Sequence, residues 1–228
     1  MMRFRTAVVL AAVGLLLGAC QAGPPAPQVE SAPARASSIP VPTPEQFPTA
    51  VPVPPSPPVL SSGEQAQLDQ ELIAAAKANN APQVAALIGR GGNVNARDAI
   101  QDSAFLYAGA EGFNEVLRLT LAAGADVSST NRYGGTALIP ASEHGHVETV
   151  QILVAAGVPV NHVNNLGWTA MQEAILLNNG GPRQLEVVQV LLDAGADADI
   201  SDPEGRTALQ NAERLGFTEI AALIRSRS

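Results

Sequence analysis

The chain has 228 residues, 46% of them hydrophobic and 15% charged, with a formal net charge of −8 and a pI near 4.8. Its 13 basic residues include a single lysine, Lys77, so the chain lacks the basic surface that nucleic-acid binding requires. Its single cysteine excludes an intrachain disulfide framework and every metal site that needs several cysteines.

The N-terminal segment has the pattern of a secretory signal. Arg3 and Arg5 precede an apolar stretch over 6–17, which is shorter than the roughly twenty residues of a membrane-spanning helix. The segment ends in Leu17-Gly18-Ala19-Cys20, which resembles a bacterial lipobox. This resemblance implies a lipoprotein signal peptide over 1–19 and acylation of Cys20, palmitate included. The alternative is an ordinary secretory signal with a cysteine at its cleavage point.

The lipobox resemblance also implies a location in the bacterial cell envelope. Two or three acyl chains on Cys20 would hold the mature protein stably on a membrane. Many Gram-negative lipoproteins that stay in the inner membrane have Asp after the acylated cysteine, whereas this chain has Gln21. We therefore expect a lipid anchor in the outer membrane, with the protein facing the periplasm.

Residues 20–63 are predicted to form the lipidated cysteine and a Pro-rich, disordered tether. Thirteen of the 18 prolines lie between Pro24 and Pro58, and repeated X-Pro steps disfavour helix and favour polyproline II. The segment has no periodic apolar face and therefore no core of its own. A passive spacer and a proline-rich ligand for a partner domain are the two roles left open.

From residue 64 onward the sequence is periodic. The motif Gly-x-Thr-Ala-Leu and its variants recur with Thr or Ser at spacings of 33, 33 and 38, at Ser103, Thr136, Thr169 and Thr207. The glycines of an Ala-Gly-Ala-Asp-type turn have the same spacings, at Gly91, Gly124, Gly157 and Gly195. A third marker, an acid or amide at the start of a second helix, follows this period at Gln83, Glu115, Glu148, Glu186 and Glu219. Agreement of three markers predicts a solenoid.

These motifs resemble the ankyrin repeat, and the best copy covers 131–157. The resemblance implies an all-α solenoid of helix-turn-helix pairs joined by β-turn or hairpin connections. It predicts a domain over 64–228 with about five repeats, at 65–97, 98–130, 131–163, 164–201 and 202–228. The chain departs from the family pattern in two ways: Ala replaces the motif's Pro in every copy, and Ile139 stands where the motif has His.

The residue types within each unit predict where its helices begin and end. Thr136 and Thr207 are expected to cap first helices, and Gly157 and Gly195 to follow second helices in the left-handed region. The fourth copy has five extra residues around 178–183, where Gly-Gly-Pro predicts a longer loop between its two helices. This loop is interpreted either as a binding element or as tolerated decoration.

No catalytic, phosphate-binding or metalloprotease motif occurs, so we expect no enzyme activity, cofactor or metal. The one rival is a metal site at His144 and His146. Phe113 and Phe217 fill the repeat position of His146 in other copies, which favours a packing role for this ring.

The ankyrin resemblance implies a protein partner that docks on the turn tips and on the concave face of the first helices. Trp168 is either an interface residue or packs on a neighbouring repeat, and the acidic balance favours a basic partner. The candidate contact residues are the variable ones at these positions: Asp102, Arg132, Tyr133, Glu143, His144, Asn165, Leu166, Trp168, Arg206 and Arg214, with Ile100 and Glu204 beside them.

Together these inferences predict a non-enzymatic, lipid-anchored protein that captures another protein in the bacterial envelope. No small-molecule substrate is expected. Two specific roles stay open: an immunity or inhibitor protein against a periplasm-acting toxin, and an accessory factor that protects an envelope enzyme such as a catalase.

Overall fold

The computed structural model describes residues 60–227, which contain ten α-helices and no strand. The lipobox, Cys20 and the Pro-rich segment lie outside the described residues. The helices form five consecutive pairs, one pair per repeat: α1 Ser62–Lys77 and α2 Ala81–Gly89; α3 Ala104–Glu111 and α4 Asn114–Ala122; α5 Leu138–Glu143 and α6 Val147–Ala155; α7 Ala170–Leu176 and α8 Pro182–Asp193; α9 Ala208–Leu215 and α10 Thr218–Arg225. The all-α repeat architecture expected from the sequence is confirmed. None of these helices is both long and apolar enough to cross a membrane.

The helices stack in two layers because each repeat packs mainly on its neighbours. The first helices α1, α3, α5, α7 and α9 contact one another in chain order, and the second helices do the same. The core lies between the layers. Its central side chains include the last residue of the repeated motif, which is Phe105 in the second repeat, Leu138 in the third and Met171 in the fourth, each at most 2% exposed. In the fifth repeat the equivalent Leu209 is only partly buried, because among the described residues α7 is the only first helix that packs on α9.

Side-chain hydroxyls begin four of the five first helices. Ser61, Ser103, Thr169 and Thr207 each accept a backbone N–H from the residue three positions later. The expected cap at Thr136 is wrong. The N–H of Ile139 donates to the Thr136 carbonyl at 3.2 Å instead, so α5 begins at Leu138 without a side-chain cap.

The insertion in the fourth repeat lengthens a helix as well as a loop. Helix α7 ends at Leu176 and α8 begins at Pro182, so Pro182 and Arg183 form the first turn of α8 rather than part of the predicted loop. Proline is favoured at this position because the first helical N–H has no partner inside the helix. Helix α8 consequently has 12 residues, whereas α4 and α6 have nine.

The remaining connection, 177–181, is tied to the third repeat. Asn178 Nδ2 donates to the carbonyl of Glu143 at 2.7 Å, and Gln184 Nε2 donates to Asn178 Oδ1 at 3.0 Å. These bonds fix the connection beside the end of α5, where it borders the site described below.

Candidate functional site

One Asp or Asn side chain organises the turn that precedes each first helix from the second repeat onward. Its Oδ1 accepts the backbone N–H groups of the residues two and four positions later, at 2.8–3.1 Å. Its own N–H donates to the carbonyl of the residue four positions later, at 2.9–3.0 Å. We call this arrangement the turn frame. It is built on Asp98, Asn131, Asn164 and Asp202.

Each turn frame is held through backbone groups, so the side chains of the residues between the Asp or Asn and the residue four positions later are free to face solvent. Tyr133 is 53% exposed in the second frame and Leu166 is 51% exposed in the third. The guanidinium of Arg132 also lies over the ring of Tyr133, with its central carbon 4.6 Å from the ring centre. A rigid turn thus presents large apolar and cationic groups on its outer side.

A groove of about 380 Å³ lies between these turn frames and helices α3, α5 and α7. We call it the central groove. It brings together six of the residues that the sequence predicted for partner binding, namely Asp102, Arg132, Tyr133, Glu143, His144 and Leu166. Apolar side chains complete its walls, including Leu106, Tyr107, Ile139, Pro140 and Leu177.

Asp102 and Arg132 of the groove lining belong to an ion-pair cluster. Arg132 Nη1 lies 3.6 Å from the carboxylate of Asp102, and Lys77 Nζ lies 3.9 Å from the same carboxylate. Lys77 also donates to Asp98 Oδ2 at 2.5 Å. Burial raises the pKa of Asp102 although both cations act to lower it. The cations of this cluster are therefore already committed to carboxylates of the chain.

The lining of the central groove also contains Glu173, which the sequence analysis did not identify. Glu173 is 5% exposed, and its Oε1 accepts a hydrogen bond from Asn164 Nδ2 at 2.6 Å. Burial, and next the nearby carboxylate of Glu143, raise the pKa of Glu173 to about 7. The available signal was its place in the repeat, where other copies have Tyr107, Pro140 and Asn211. A glutamate inside the mainly apolar helix α7 is unusual there.

Four predicted contact residues lie outside the central groove. Asn165 is exposed, and its N–H donates to the carbonyl of Tyr133 at 2.9 Å. The indole of Trp168 is half-buried, and its Nε1 is buried without a hydrogen-bond partner in the described residues. Arg206 and Arg214 belong to the fifth repeat, where both donate to Asn211 Oδ1.

Arg206 is engaged inside its own repeat. Its guanidinium lies 2.9 Å from Glu204 Oε2 and 3.3 Å from the buried carboxylate of Asp202, which carries the last turn frame. Asn211 Nδ2 also donates to Asp202 Oδ2 at 2.8 Å. This is the repeat equivalent of the Asn164–Glu173 bond with donor and acceptor exchanged.

His144 and His146 meet edge-on, with ring centres 5.5 Å apart. His144 Nδ1 donates to the carbonyl of Ala110 at 2.8 Å, and burial lowers the pKa of His146. His146 precedes α6 with the same backbone angles that Phe113 and Phe217 adopt before α4 and α10. Over residues 60–227 no three His, Cys, Asp or Glu side chains cluster as metal ligands would.

A family model and two solved structures all match this chain as ankyrin repeats. A family model described as ankyrin repeats (3 copies) matches residues 72–164 and 105–202. The crystal structure of an ankyrin repeat domain from Acinetobacter baumannii AYE is 56% identical, with a TM-score of 0.68, over 68% of this chain and 80% of that one. Another ankyrin repeat protein of known structure is 40% identical, with a TM-score of 0.66, over 68% and 78% of the two chains.

A curated relative matches over a shorter stretch. The ankyrin repeat protein YahD of Escherichia coli strain K12 is 48% identical over 52 residues, which is 23% of this chain. The match spans about a quarter of that protein's length, since it covers 26% of it.

Proposed function

Since the chain belongs to the ankyrin-repeat family, whose members generally act as non-enzymatic scaffolds for protein interactions, we propose that it captures a partner protein on the central groove. The observation that carries this proposal is the distribution of exposed apolar side chains. Within residues 60–227 five large hydrophobic residues are exposed, and three of them, Tyr133, Leu166 and Leu177, line the groove. Clustered exposed apolar side chains are typical of interaction sites, and tyrosine is enriched among the residues that dominate binding energy.

The proposal includes the lipid anchor at Cys20 and a position at the periplasmic face of the outer membrane. Its support is the sequence Leu17-Gly18-Ala19-Cys20 and the Pro-rich segment that follows. A tethered groove of this kind suits either role expected from the sequence, neutralising a periplasm-acting toxin or protecting an envelope enzyme such as a catalase.

Capture on the groove is tested by affinity purification from detergent-solubilised envelopes with the full chain. We expect the double variant Tyr133→Ala/Leu166→Ala to retain at least about tenfold less of the enriched partner, because two anchor side chains are truncated. The matched control is Ile100→Ala/Val163→Ala, which truncates the two other exposed residues, both outside the groove lining. Equal recovery by the groove variant and the wild type would place the binding surface elsewhere.

Anchoring is tested by labelling growing cells with an alkyne analogue of palmitate. We expect the wild-type chain to carry the label and to sediment with outer membranes, whereas Cys20→Ser carries no label and appears in the soluble periplasmic fraction. Gln21→Asp is the matched variant: it should keep the label and shift the protein toward the inner membrane. An unlabelled wild-type chain would contradict the proposed anchor.

A further inference from the structure

The central groove contains a buried carboxylate with one oxygen still unpaired. Asn164 holds Glu173 Oε1, and Asn164 is itself fixed because its Oδ1 accepts the N–H groups of Leu166 and Trp168. The second oxygen of Glu173 accepts no hydrogen bond from any described residue. Glu173 lines the groove although only 5% of its surface is exposed. A donor that enters the groove is therefore the group that can satisfy this oxygen.

The charge of the groove lining favours a cation as that donor. The lining contains the four acidic residues Asp102, Glu111, Glu143 and Glu173 and only one basic residue, Arg132, that is charged at every physiological pH. Arg132 is held against Asp102 and Tyr133. Glu143 and Glu173 form no ion pair within residues 60–227.

The nearest basic ring does not supply the missing partner. His144 follows Glu143 directly in sequence and lines the same groove, but its Nδ1 donates to the carbonyl of Ala110. A buried carboxylate without a cationic partner is costly, and its cost is removed when a cation with hydrogen-bond donors reaches it.

The walls of the groove fit a cation on an apolar stem. Leu166 and Leu177 belong to the same lining as the two carboxylates, and they are 51% and 47% exposed. Lysine and arginine combine a charged end with an aliphatic stem that packs against such surfaces. A bare metal ion would leave these apolar walls unused, and the absence of a cluster of three ligating side chains in the described chain also disfavours it.

We propose that the central groove binds a lysine or arginine side chain of the captured protein, with its charged end between Glu143 and Glu173 and its stem against Leu166 and Leu177. This proposal rests on the proposed function and specifies the chemistry that the partner presents. The occupant is a basic residue flanked by apolar ones in an accessible segment.

The test uses two fluorescent probes, the blocked peptides Leu-Arg-Leu and Leu-citrulline-Leu, which differ at the central residue by charge with nearly the same shape. Binding to the detergent-solubilised full chain is followed by fluorescence anisotropy up to millimolar protein. We expect the arginine peptide to bind at least about tenfold more tightly than the citrulline peptide. Equal affinities, or no binding of either peptide, would overturn the proposal.

Two variants locate the discrimination. Glu173→Gln is expected to lower the preference for the arginine peptide at least about threefold, because Glu143 still supplies one carboxylate. Glu186→Gln, which removes an exposed carboxylate of α8 outside the central groove, is expected to keep the wild-type ratio. Circular dichroism confirms that each variant is folded. A Glu173→Gln protein with the wild-type preference for arginine would also overturn the proposal.

This experiment separates the two levels of inference. If Tyr133→Ala/Leu166→Ala loses the partner while the wild type binds both peptides equally, capture on the groove stands and the basic side chain is refuted. If the peptides are discriminated as expected while the groove variant still captures its partner, the cation site stands and the proposed docking face is refuted.

Discussion

Glu173→Gln is expected to raise the free energy of unfolding by about 3 kcal/mol at pH 8 and by almost nothing near pH 4, since each unit of pKa shift corresponds to about 1.4 kcal/mol. At pH 8 the wild-type chain must keep an ionised carboxylate that is 5% exposed and has no cationic partner in the described residues. The glutamine amide has the same shape without the charge, and its oxygen can still accept the hydrogen bond from Asn164.

The pH dependence follows from the pKa of Glu173 in each state. It is about 7 in the folded chain, against 4.5 for an ordinary glutamate, so between these values the folded state retains a proton that the unfolded state has released. The free energy of unfolding should therefore fall as pH rises from about 4.5 to about 7, and then level off. The lowered pKa of His146 acts in the opposite direction in this range, and comparison with the variant removes its contribution.

The measurement is urea denaturation of both proteins at half-unit steps from pH 4 to pH 8. Glu186→Gln is the control, and its stability should follow the wild-type curve because its carboxylate is exposed. A difference between Glu173→Gln and wild type that does not grow with pH would show that Glu173 is not held in a charge-disfavouring site. A carboxylate that destabilises the unliganded protein at neutral pH is expected at a site where a ligand supplies the positive charge that pairs with it.

Leu138→Ala is expected to cost about 3 kcal/mol of folding free energy, because it leaves a cavity in the middle of the solenoid. Leu138 is completely buried, and its helix α5 packs against both α3 and α7. In a repeat protein each unit is stabilised mainly by its neighbours, so damage to the third of five repeats weakens two interfaces at once.

The matched control is the same substitution at the equivalent position of the last repeat. Leu209→Ala is expected to cost about 1 kcal/mol, because Leu209 is only partly buried and loses fewer contacts. Both values come from urea denaturation at one pH. Equal losses at Leu138 and Leu209 would contradict the view that stacking on both sides determines the burial of this position.

The fold was largely predictable because its information is periodic. The spacings of 33, 33 and 38 placed five helix pairs, and the glycines at those spacings have positive φ, including Gly157 and Gly195 at 83°. The same period was present in the bases of the turn frames, Asp98, Asn131, Asn164 and Asp202, but their shared hydrogen bonding is apparent only once the chain is folded.

The candidate site was predictable only where it coincides with the turns. The repeat pattern placed Tyr133 and Leu166 on an outer surface, whereas the position of Glu173 has a different residue in each of four copies and gives no periodic signal. Its significance depends on Asn164 in its own repeat and on Glu143 of the third repeat, and the spacing of the repeats encodes neither contact. The start of α8 at Pro182 could not be predicted from composition either, because Gly-Gly-Pro is compatible both with a loop and with the first turn of a helix.

The turn frame has a consequence for how proteins of this kind diverge. Its hydrogen bonds use one Asp or Asn oxygen and backbone groups alone, so the enclosed side chains carry little of the folding free energy. Selection on the exposed side chains of Tyr133, Asn165 and Leu166 then acts mainly through what they touch outside the molecule. A descendant lineage can acquire a different partner by changing these few codons, while the ten helices beneath them persist unaltered.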